Sequence, residues 1–504
     1  MVNDLLAAIA EHDGLEYKIT EEKTSRIESY FVKKQLEMNR SVDVTHTFLT
    51  VYKTFTEDGV TFRGSSVTEI HPGMPRAQIN EVIEEALYAA GFVKNEYYPL
   101  VDADSDGGAG VGADGGAVSG AIAGAECGAA SGANAGADGG AVSGAIAGVD
   151  GEAVSGAIAG ADGGTVSGVG ADTDCEAEAG ASALRGGGVD LYSALEKLTA
   201  AVYAEDRFDK GYLSYSEFFI ARRDVRVLNS NGIDRSYTVY YTDMETAVNW
   251  REDSEIEITE GCAMADFDAK LLSERISKLF EVAAKKPLAL MTPAVKDMNV
   301  LLTGECLKEF FSYYHSNSNA ASVYNGISTF KTGDVLQGDV VSGDKISVRL
   351  DPALKGATKA KPYDSDGFPL RPVELITDGV LSQYWGDVRF SSYLGIPPTG
   401  DIGSYVVTGG TKSVAEMKAE PYLELISFSG FQMDPVTGDF ASEIRLGFYF
   451  DGRETAPVTG GSVSGNIKNV HGDMYMSIEQ AQYNNYKGPL TVCVRGVAIA
   501  GREV

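Results

Sequence analysis

The chain contains few of the residues that build metal centres and disulfide frameworks. Its 504 residues include five cysteines and five histidines. The cysteines, at positions 127, 175, 262, 306 and 493, form no C-x-x-C pair. This spacing predicts reduced thiols rather than a disulfide framework or a zinc knuckle. The histidines, at positions 12, 46, 71, 315 and 471, are too scattered to predict a Ser-His-Asp or Cys-His catalytic set.

Long apolar runs and an excess of positive charge are also missing. No apolar run reaches the roughly 18 residues that a transmembrane helix requires, so we expect no membrane span. The N-terminus lacks the basic start and apolar core of a secretory signal, which together with the free thiols predicts a cytoplasmic protein. Lysine and arginine number 42 against 72 acidic residues, a formal net charge of −30. This charge argues against a surface for nucleic acid or anionic membrane.

Residues 102–188 differ in composition from the rest of the chain. Gly, Ala, Ser and Asp dominate, and a unit like GADGGAVSGAIAG recurs with its Ser-Gly step at positions 119, 131, 143, 155 and 167. We expect a flexible acidic insertion, because the segment lacks the large apolar side chains that would offset the entropy of ordering it. A fixed period also allows a stacked β-solenoid. A third interpretation is an arm that binds a partner.

Two short stretches partly match ligand-binding loops. Residues 102–107, DADSDG, match the first half of a calcium loop, but its twelfth position is Ala113 instead of the bidentate glutamate. An acidic linker with a turn is therefore the favoured interpretation. Residues 408–413, TGGTKS, lack the residue order of a phosphate-binding loop, so a glycine turn is predicted there.

The hydrophobic periodicity predicts an α+β fold in two domains. Residues 1–101 and 189–286 are expected to form an N-terminal α/β domain, in which helices cover a sheet. Residues 287–504 are expected to form a mostly antiparallel β domain with one central helix. The predicted strands are 28–36, 42–55, 60–70 and 218–250 in the first domain and 382–395, 423–435 and 438–452 in the second. The predicted helices are 76–93, 189–206, 264–286 and 304–315.

The helix at 304–315 follows a short apolar strand, Val300 to Leu302, and a Thr-Gly step. Its apolar residues fall on one stripe at spacings of three and four: Leu307, Phe310, Phe311 and Tyr314. This stretch resembles the TldD/PmbA family, whose peptidase members carry G-x-L-L-H-E-x-x-x-H across the helix. Further similarity lies at the turn 229–232 and in the blocks from Asp439 to Arg445 and from Pro457 to Asn466.

Alignment on Gly304 puts Lys308 and Tyr313 at the positions of the two metal-binding histidines and retains only Glu309. An ammonium repels a cation, and a neutral phenol is a poor zinc ligand. The chain therefore resembles the metal-less, PmbA (TldE)-like branch, for which no metal or cofactor is expected in this chain. Lys308 is expected to pair with Glu309 or another nearby carboxylate.

Two other residues, His315 and Cys493, are of types that bind zinc. His315 lies two positions past the expected second histidine, about 200° further round the helix, so it does not share a face with Glu309. The resemblance implies a third ligand, a cysteine, in the C-terminal region. Cys493 lies in an alternating strand pattern and is predicted to be a small buried hydrophobe.

The glycine-rich block 457–466 is a second candidate site. In the family this region borders the internal cavity where peptide is cleaved, which implies cavity-lining roles for Gly460, Gly461, Ser462, Ser464, Gly465 and Asn466. The alternative is a β-bulge and turn that hold the sheet together.

The resemblance implies a subunit that pairs with a homologous TldD-like chain, which carries zinc on H-E-x-x-x-H and cleaves unfolded or extended peptides. A self-dimer is the other possible assembly. The alternative function is a homodimeric binding or scaffold protein on the same fold.

Overall fold

The computed structural model describes residues 1–104, 189–252 and 255–502. The predicted insertion, with its 12-residue repeat and most of the calcium-like stretch, lies outside these residues except for positions 102–104. The described residues contain three β-sheets and several helices, so the predicted α+β class is confirmed. No helix among them is both long and apolar enough to cross a membrane.

The first sheet has six antiparallel strands from the N-terminal half. In spatial order they run β3-β2-β1-β4-β5-β6. Their bounds are β1 Glu16–Val32, β2 Gln35–Glu57, β3 Val60–Glu69, β4 Gly211–Asn229, β5 Asp234–Arg251 and β6 Glu255–Met264. Four helices accompany this sheet: α1 Val2–Ile9, α2 Arg76–Ala90, α3 Leu191–Ala204 and α4 Ala269–Lys285. Helices α1 and α2 share one buried core with the sheet, and α3 and α4 share another.

Two boundaries in this half were predicted wrongly. The strand expected at 28–36 spans the turn between β1 and β2, where Lys33 adopts a positive φ of 55° that few side chains favour. The helix expected from residue 264 begins at Ala269, because β6 runs to Met264 and the Asp268 carboxylate caps the helix by accepting from two backbone N–H groups. Strand β6 was not predicted, although its sequence alternates.

The C-terminal half contributes two further sheets. The six-stranded sheet has the order β11-β10-β9-β12-β20-β19, formed by β9 Ser347–Leu350, β10 Val373–Thr377, β11 Val380–Leu381, β12 Tyr405–Thr408, β19 Gln480–Tyr483 and β20 Tyr486–Pro489. The ten-stranded sheet has the path β18-β21-β8-β13-β15-β16-β7, with β14, β17 and β22 joined through β15 and β17. Its strands are β7 Leu290–Met291, β8 Asn299–Thr303, β13 Tyr422–Phe428, β14 Gln432–Met433, β15 Asp439–Phe450, β16 Thr455–Thr459, β17 Ser462–Asn466, β18 Tyr475–Met476, β21 Thr491–Val494 and β22 Ala498–Ala500.

One long helix, α5 Cys306–Asn317, lies between these two sheets. Phe311 stacks on Tyr486 of β20 with centroids 5.9 Å apart, and Phe310 meets Phe440 of β15 at 5.5 Å. The shorter helices are α6 Ala320–Tyr324, α7 Val388–Leu394, α8 Val414–Met417 and α9 Ile467–Val470, and a 3₁₀ turn spans Lys286–Leu288.

The strand predicted at 382–395 was wrong, because this stretch contains α7. The Asp387 carboxylate accepts from the Phe390 backbone N–H at 2.8 Å and begins the helix. Gly395, with φ of 65°, ends it in the left-handed conformation that glycine allows.

The close approach of α2 to β3 generates a stability prediction. A Cβ built on Gly64 in β3 would lie 1.8 Å from the carbonyl oxygen of Ala90, the last residue of α2. We expect Gly64→Ala to destabilise the protein by about 1–3 kcal/mol, because backbone must move to admit the methyl group. Thermal unfolding followed by circular dichroism measures the effect.

Gly261→Ala is the matched control, because Gly261 also lies in a strand of this sheet and a Cβ there would meet nothing within 4 Å. Its unfolding midpoint should stay near that of the parent protein. Equal midpoints for the two variants would contradict the packing of α2 on β3.

Candidate functional site

The candidate site is built on the connection from β8 to α5. Strand β8 lies inside the ten-stranded sheet, parallel to β13 and antiparallel to β21. The chain turns at Gly304, whose φ of 99° is a backbone conformation in which a residue with a side chain would be strained. The Arg275 guanidinium of α4 lies 3.3 Å from the Glu305 carboxylate at the start of α5 and 3.2 Å from Glu260 of β6. The N-terminal half therefore holds the start of this helix.

The apolar stripe of α5 is buried as predicted. The four stripe residues Leu307, Phe310, Phe311 and Tyr314 are each at most 1% exposed. The Tyr314 hydroxyl and His471 Nδ1 lie 2.9 Å apart. Burial lowers the pKa of His471 to about 4, so its ring is neutral at physiological pH.

Lys308 and Glu309 lie on the partly exposed side of α5. The Lys308 Nζ is 3.5 Å from the Glu309 carboxylate, with side chains 34% and 45% exposed. The Tyr405 hydroxyl of β12 donates to the backbone carbonyl of Lys308. Glu309, the carboxylate that the family motif retains, thus has the Lys308 ammonium beside it, which is the pairing that we expected.

Tyr313, at the second histidine position of the motif, is buried. Its side chain is 3% exposed and lies edge-on to the Phe330 ring, with centroids 5.7 Å apart. Burial raises the pKa of its phenol to about 12, so the hydroxyl keeps its proton at neutral pH. Zinc takes imidazole, thiolate or carboxylate ligands, so of these three groups only the Glu309 carboxylate could bind it, and the set does not make a zinc site.

The substitute ligands also face away from this position. His315 Nε2 donates to the Ile402 carbonyl at 2.9 Å, and its ring lies against Trp385 at 4.3 Å. Cys493 is 7% exposed in an apolar cluster, as predicted, and burial raises the pKa of its thiol to about 11. Within the described parts of the chain, no group of three or more His, Cys, Asp or Glu side chains is arranged to hold a metal ion.

Glu309 opens into a groove of about 830 Å³ over the small sheet β14-β15-β17-β22. The strand register sets its floor. One cross-strand row consists of Gln432, Ala441, Ser464 and Ala498, and a second row contains Asp439 and Asn466 beside Asp434. Phe431, Met433 and Phe440 add apolar lining. The groove therefore combines a flat backbone surface, carboxylates and aromatic rings.

The predicted glycine-rich block divides between two structures. Ser464, Gly465 and Asn466 line the groove together with Glu309. Gly460 and Gly461, both with positive φ, form the turn into β17, and with Ser462 they line a separate depression of about 440 Å³. The turn interpretation thus describes the first half of the block, and the second half reaches the groove.

Several groove residues were not singled out from the sequence. The pKa of the Asp434 carboxyl is lowered by backbone N–H groups of Val436 and Thr437, and that of Asp439 by Asn466 and then Thr437. Both carboxylates are therefore ionised at neutral pH. The signal that could have found them is the D-P-x-T-G-D turn, which places two aspartates at the ends of one tight loop.

The TGGTKS stretch follows β12 as irregular backbone, in which Lys412 bridges to Ser477 and Ser413 caps α8. Gly409 has a φ of 119°, and a Cβ on Gly410 would lie 2.2 Å from the Ser477 carbonyl oxygen. Backbone fills the space that a phosphate would need.

The sequence comparisons agree with this architecture. Residues 295–501 match the model of the PmbA/TldA metallopeptidase C-terminal domain. Over 258 residues the chain is 24% identical to an uncharacterised protein of Methanocaldococcus jannaschii and 25% identical to metalloprotease PmbA of Escherichia coli O157:H7. These matches cover 48% of this chain and 59% and 54% of the relatives, so the chain spans about half the length of the curated relatives it matches.

Solved structures share the fold. TldE from Thermococcus kodakarensis superimposes with a TM-score of 0.65 at 16% identity, covering 99% of this chain and 100% of that one. A putative modulator of a DNA gyrase from Thermotoga maritima gives a TM-score of 0.68 at 13% identity, with the same coverage of both chains. At such identities the likeness concerns the fold alone.

The enclosure of His315 makes a direct prediction about its protonation. Burial lowers the pKa of His315 to about 4, below the value of about 6.5 that an unfolded chain has. The unfolded state therefore takes up this proton first, and stability falls as the pH drops from about 6.5 towards 4. Histidine ring NMR should give a midpoint near 4, with the resonance assigned from the His315→Asn variant. A midpoint near 6.5 would put the ring in water and restore it as a candidate ligand.

Proposed function

We propose that this chain is a member of the TldD/PmbA family and that it is the metal-less subunit of a two-chain peptidase. Its partner is a homologous chain with the full H-E-x-x-x-H motif, and the catalytic zinc belongs to that chain. Here the groove over β14, β15, β17 and β22 holds an unfolded or extended peptide for cleavage.

The observation that carries the proposal is the pair of residues at the two histidine positions. Lys308 brings a positive charge to within 3.5 Å of Glu309, where a divalent cation would be repelled. Tyr313 packs into the core and keeps its proton. A helix that has lost both imidazoles can still position Glu309 at the groove, because its stripe residues are buried on the other side.

The groove suits an extended chain better than a compact ligand. Its floor is one face of a short sheet, and β14 pairs only with β15 among the described strands, so one backbone edge of β14 is unpaired there. A peptide that adds to a strand edge is held through its backbone and needs no particular sequence. The ionised Asp434 and Asp439 then favour peptides with a positive charge near that edge.

The first test concerns metal and partner. We expect the chain purified alone to contain far less than one zinc per molecule and to lack peptidase activity. Coexpression with an H-E-x-x-x-H homologue from the same organism should give a complex with zinc and activity. Native mass spectrometry and metal analysis measure both. Tight stoichiometric zinc and chelator-sensitive cleavage by this chain alone would refute the proposal, and a stable self-dimer that ignores the homologue would favour the scaffold function.

A substitution at Glu309 tests whether this residue has a structural or a catalytic role in the complex. We expect Glu309→Gln to leave kcat for peptide cleavage within about twofold, because the catalytic carboxylate belongs to the partner. The equivalent substitution in the partner's motif is the matched control and should abolish cleavage. A loss of kcat by a factor of 100 or more from Glu309→Gln would instead assign general-base chemistry to this chain.

The groove itself is tested by filling it. Ala441 is exposed at the centre of the floor, between Gln432 and Ser464, so Ala441→Trp should obstruct a bound peptide. We expect KM for peptide to rise about tenfold, since steric blockage costs binding energy. Ala500→Trp is the control, because Ala500 is exposed on neighbouring β22 and does not line the groove. Equal effects of both variants would place peptide binding elsewhere.

A further inference from the structure

A pocket of about 240 Å³ lies between the first sheet and the C-terminal part of the chain, and it shares no lining residue with the groove. Strand register builds its sheet wall. Lys18 on β1 pairs with Thr50 on β2, and Tyr52 lies two residues further along on the same face. Residues 98–101 and the start of α7, at 387–389, form other walls.

Three mostly buried side chains with hydroxyl groups line this pocket. Thr50, Tyr52 and Tyr98 are 8%, 7% and 9% exposed. Among the described residues, none of their side-chain hydroxyls has a hydrogen-bond partner. Buried polar groups in folded proteins are normally paired, since an unpaired one loses its bonds to water. A molecule inside the pocket can supply these bonds.

The pocket carries balanced charge of both signs. The Lys18 ammonium lies 2.6 Å from one Asp366 oxygen. Asp387 uses one carboxylate oxygen to cap α7, and Arg389 donates to Asn95 at 2.7 Å. Two cations and two anions therefore line the cavity, which disfavours a ligand of a single charge. A molecule with a carboxylate at one end and an ammonium at the other matches both signs.

The rest of the lining is apolar and the space is small. Val67, Pro99, Leu100, Val101 and Val388 contribute hydrocarbon surface. The volume falls below the range of about 300–1,000 Å³ typical of drug-sized ligands. The ligand is therefore a small molecule with a short hydrocarbon portion between or beside its two charges.

We propose that this pocket binds a free α-amino acid with an aliphatic side chain. Its carboxylate faces the Lys18 ammonium and the Tyr52 hydroxyl, its ammonium faces Asp387, and its side chain packs on Leu100 and Val388. The site is independent of the peptide groove, so it stands whether or not the chain serves as a peptidase subunit.

Isothermal titration of the full-length chain with alanine, valine and leucine tests the proposal. We expect saturable binding of at least one of them at millimolar concentration or below. N-acetyl-leucine, which lacks the ammonium, and leucinamide, which lacks the carboxylate, should bind about tenfold more weakly than leucine. If none of the three amino acids binds, the pocket holds only water and the proposal is overturned.

Isosteric variants locate the site. Tyr52→Phe and Tyr98→Phe remove one hydroxyl each without changing the ring, and together they should weaken amino-acid binding about tenfold. Tyr88→Phe is the matched control, because Tyr88 is 72% exposed and lies outside the pocket. Unchanged affinity in the double variant, with the fold intact by circular dichroism, would show that any bound amino acid sits elsewhere and would overturn the assignment.

Discussion

The enclosure of α5 between two sheets is the constraint on which the candidate site depends. Each aromatic side chain on its buried side removes about 150–250 Å² from water. At about 25 cal/mol per Å², that is worth roughly 4–6 kcal/mol. The partly exposed ion pair of Lys308 with Glu309 contributes about 1 kcal/mol or less. Packing therefore fixes how the helix is rotated, and the rotation decides which side chains reach the groove. Glu309 reaches it, whereas Tyr313 is buried and the half-buried His315 ring donates to the Ile402 carbonyl.

The parts of the fold that local pattern determines were predictable. The stripe on α5 and the turn at 229–232 each involve neighbours along the chain, and each is found where it was expected. The turn at Lys33 was not predicted because it contains no glycine, proline or asparagine. Two lysines occupy this turn at a hairpin tip whose side chains are exposed to solvent. Residues 382–395 were predicted as a strand because their aromatic side chains favour strands. The Asp387 carboxylate caps the backbone within this stretch, and a helix begins at Val388 instead.

The groove could be predicted only in part, because strand pairing brings together floor residues that lie far apart in the sequence. Ser464 came from the glycine-rich block, but Gln432, Ala441 and Ala498 are residue types that mark no site on their own. They become a surface only when four strands align in one row. The enclosure of His315 has the same origin, since Trp385 and Ile402 come from distant segments. The spacing of the two residues along the helix could show that His315 points away from Glu309. It could not show which residues pack against the His315 ring.

On helix α5 the residues that pack in the core are separate from the carboxylate that reaches the groove. In α5 the apolar stripe is buried, whereas the side chains of Lys308 and Glu309 are partly exposed, so this ion pair leaves the stripe untouched. At the other ligand position Tyr313 is buried and packs its ring edge-on against Phe330. The groove floor consists of strands that pair through their backbones. The position of Glu309 at the groove therefore depends on the packing of the buried stripe and not on the partly exposed ion pair.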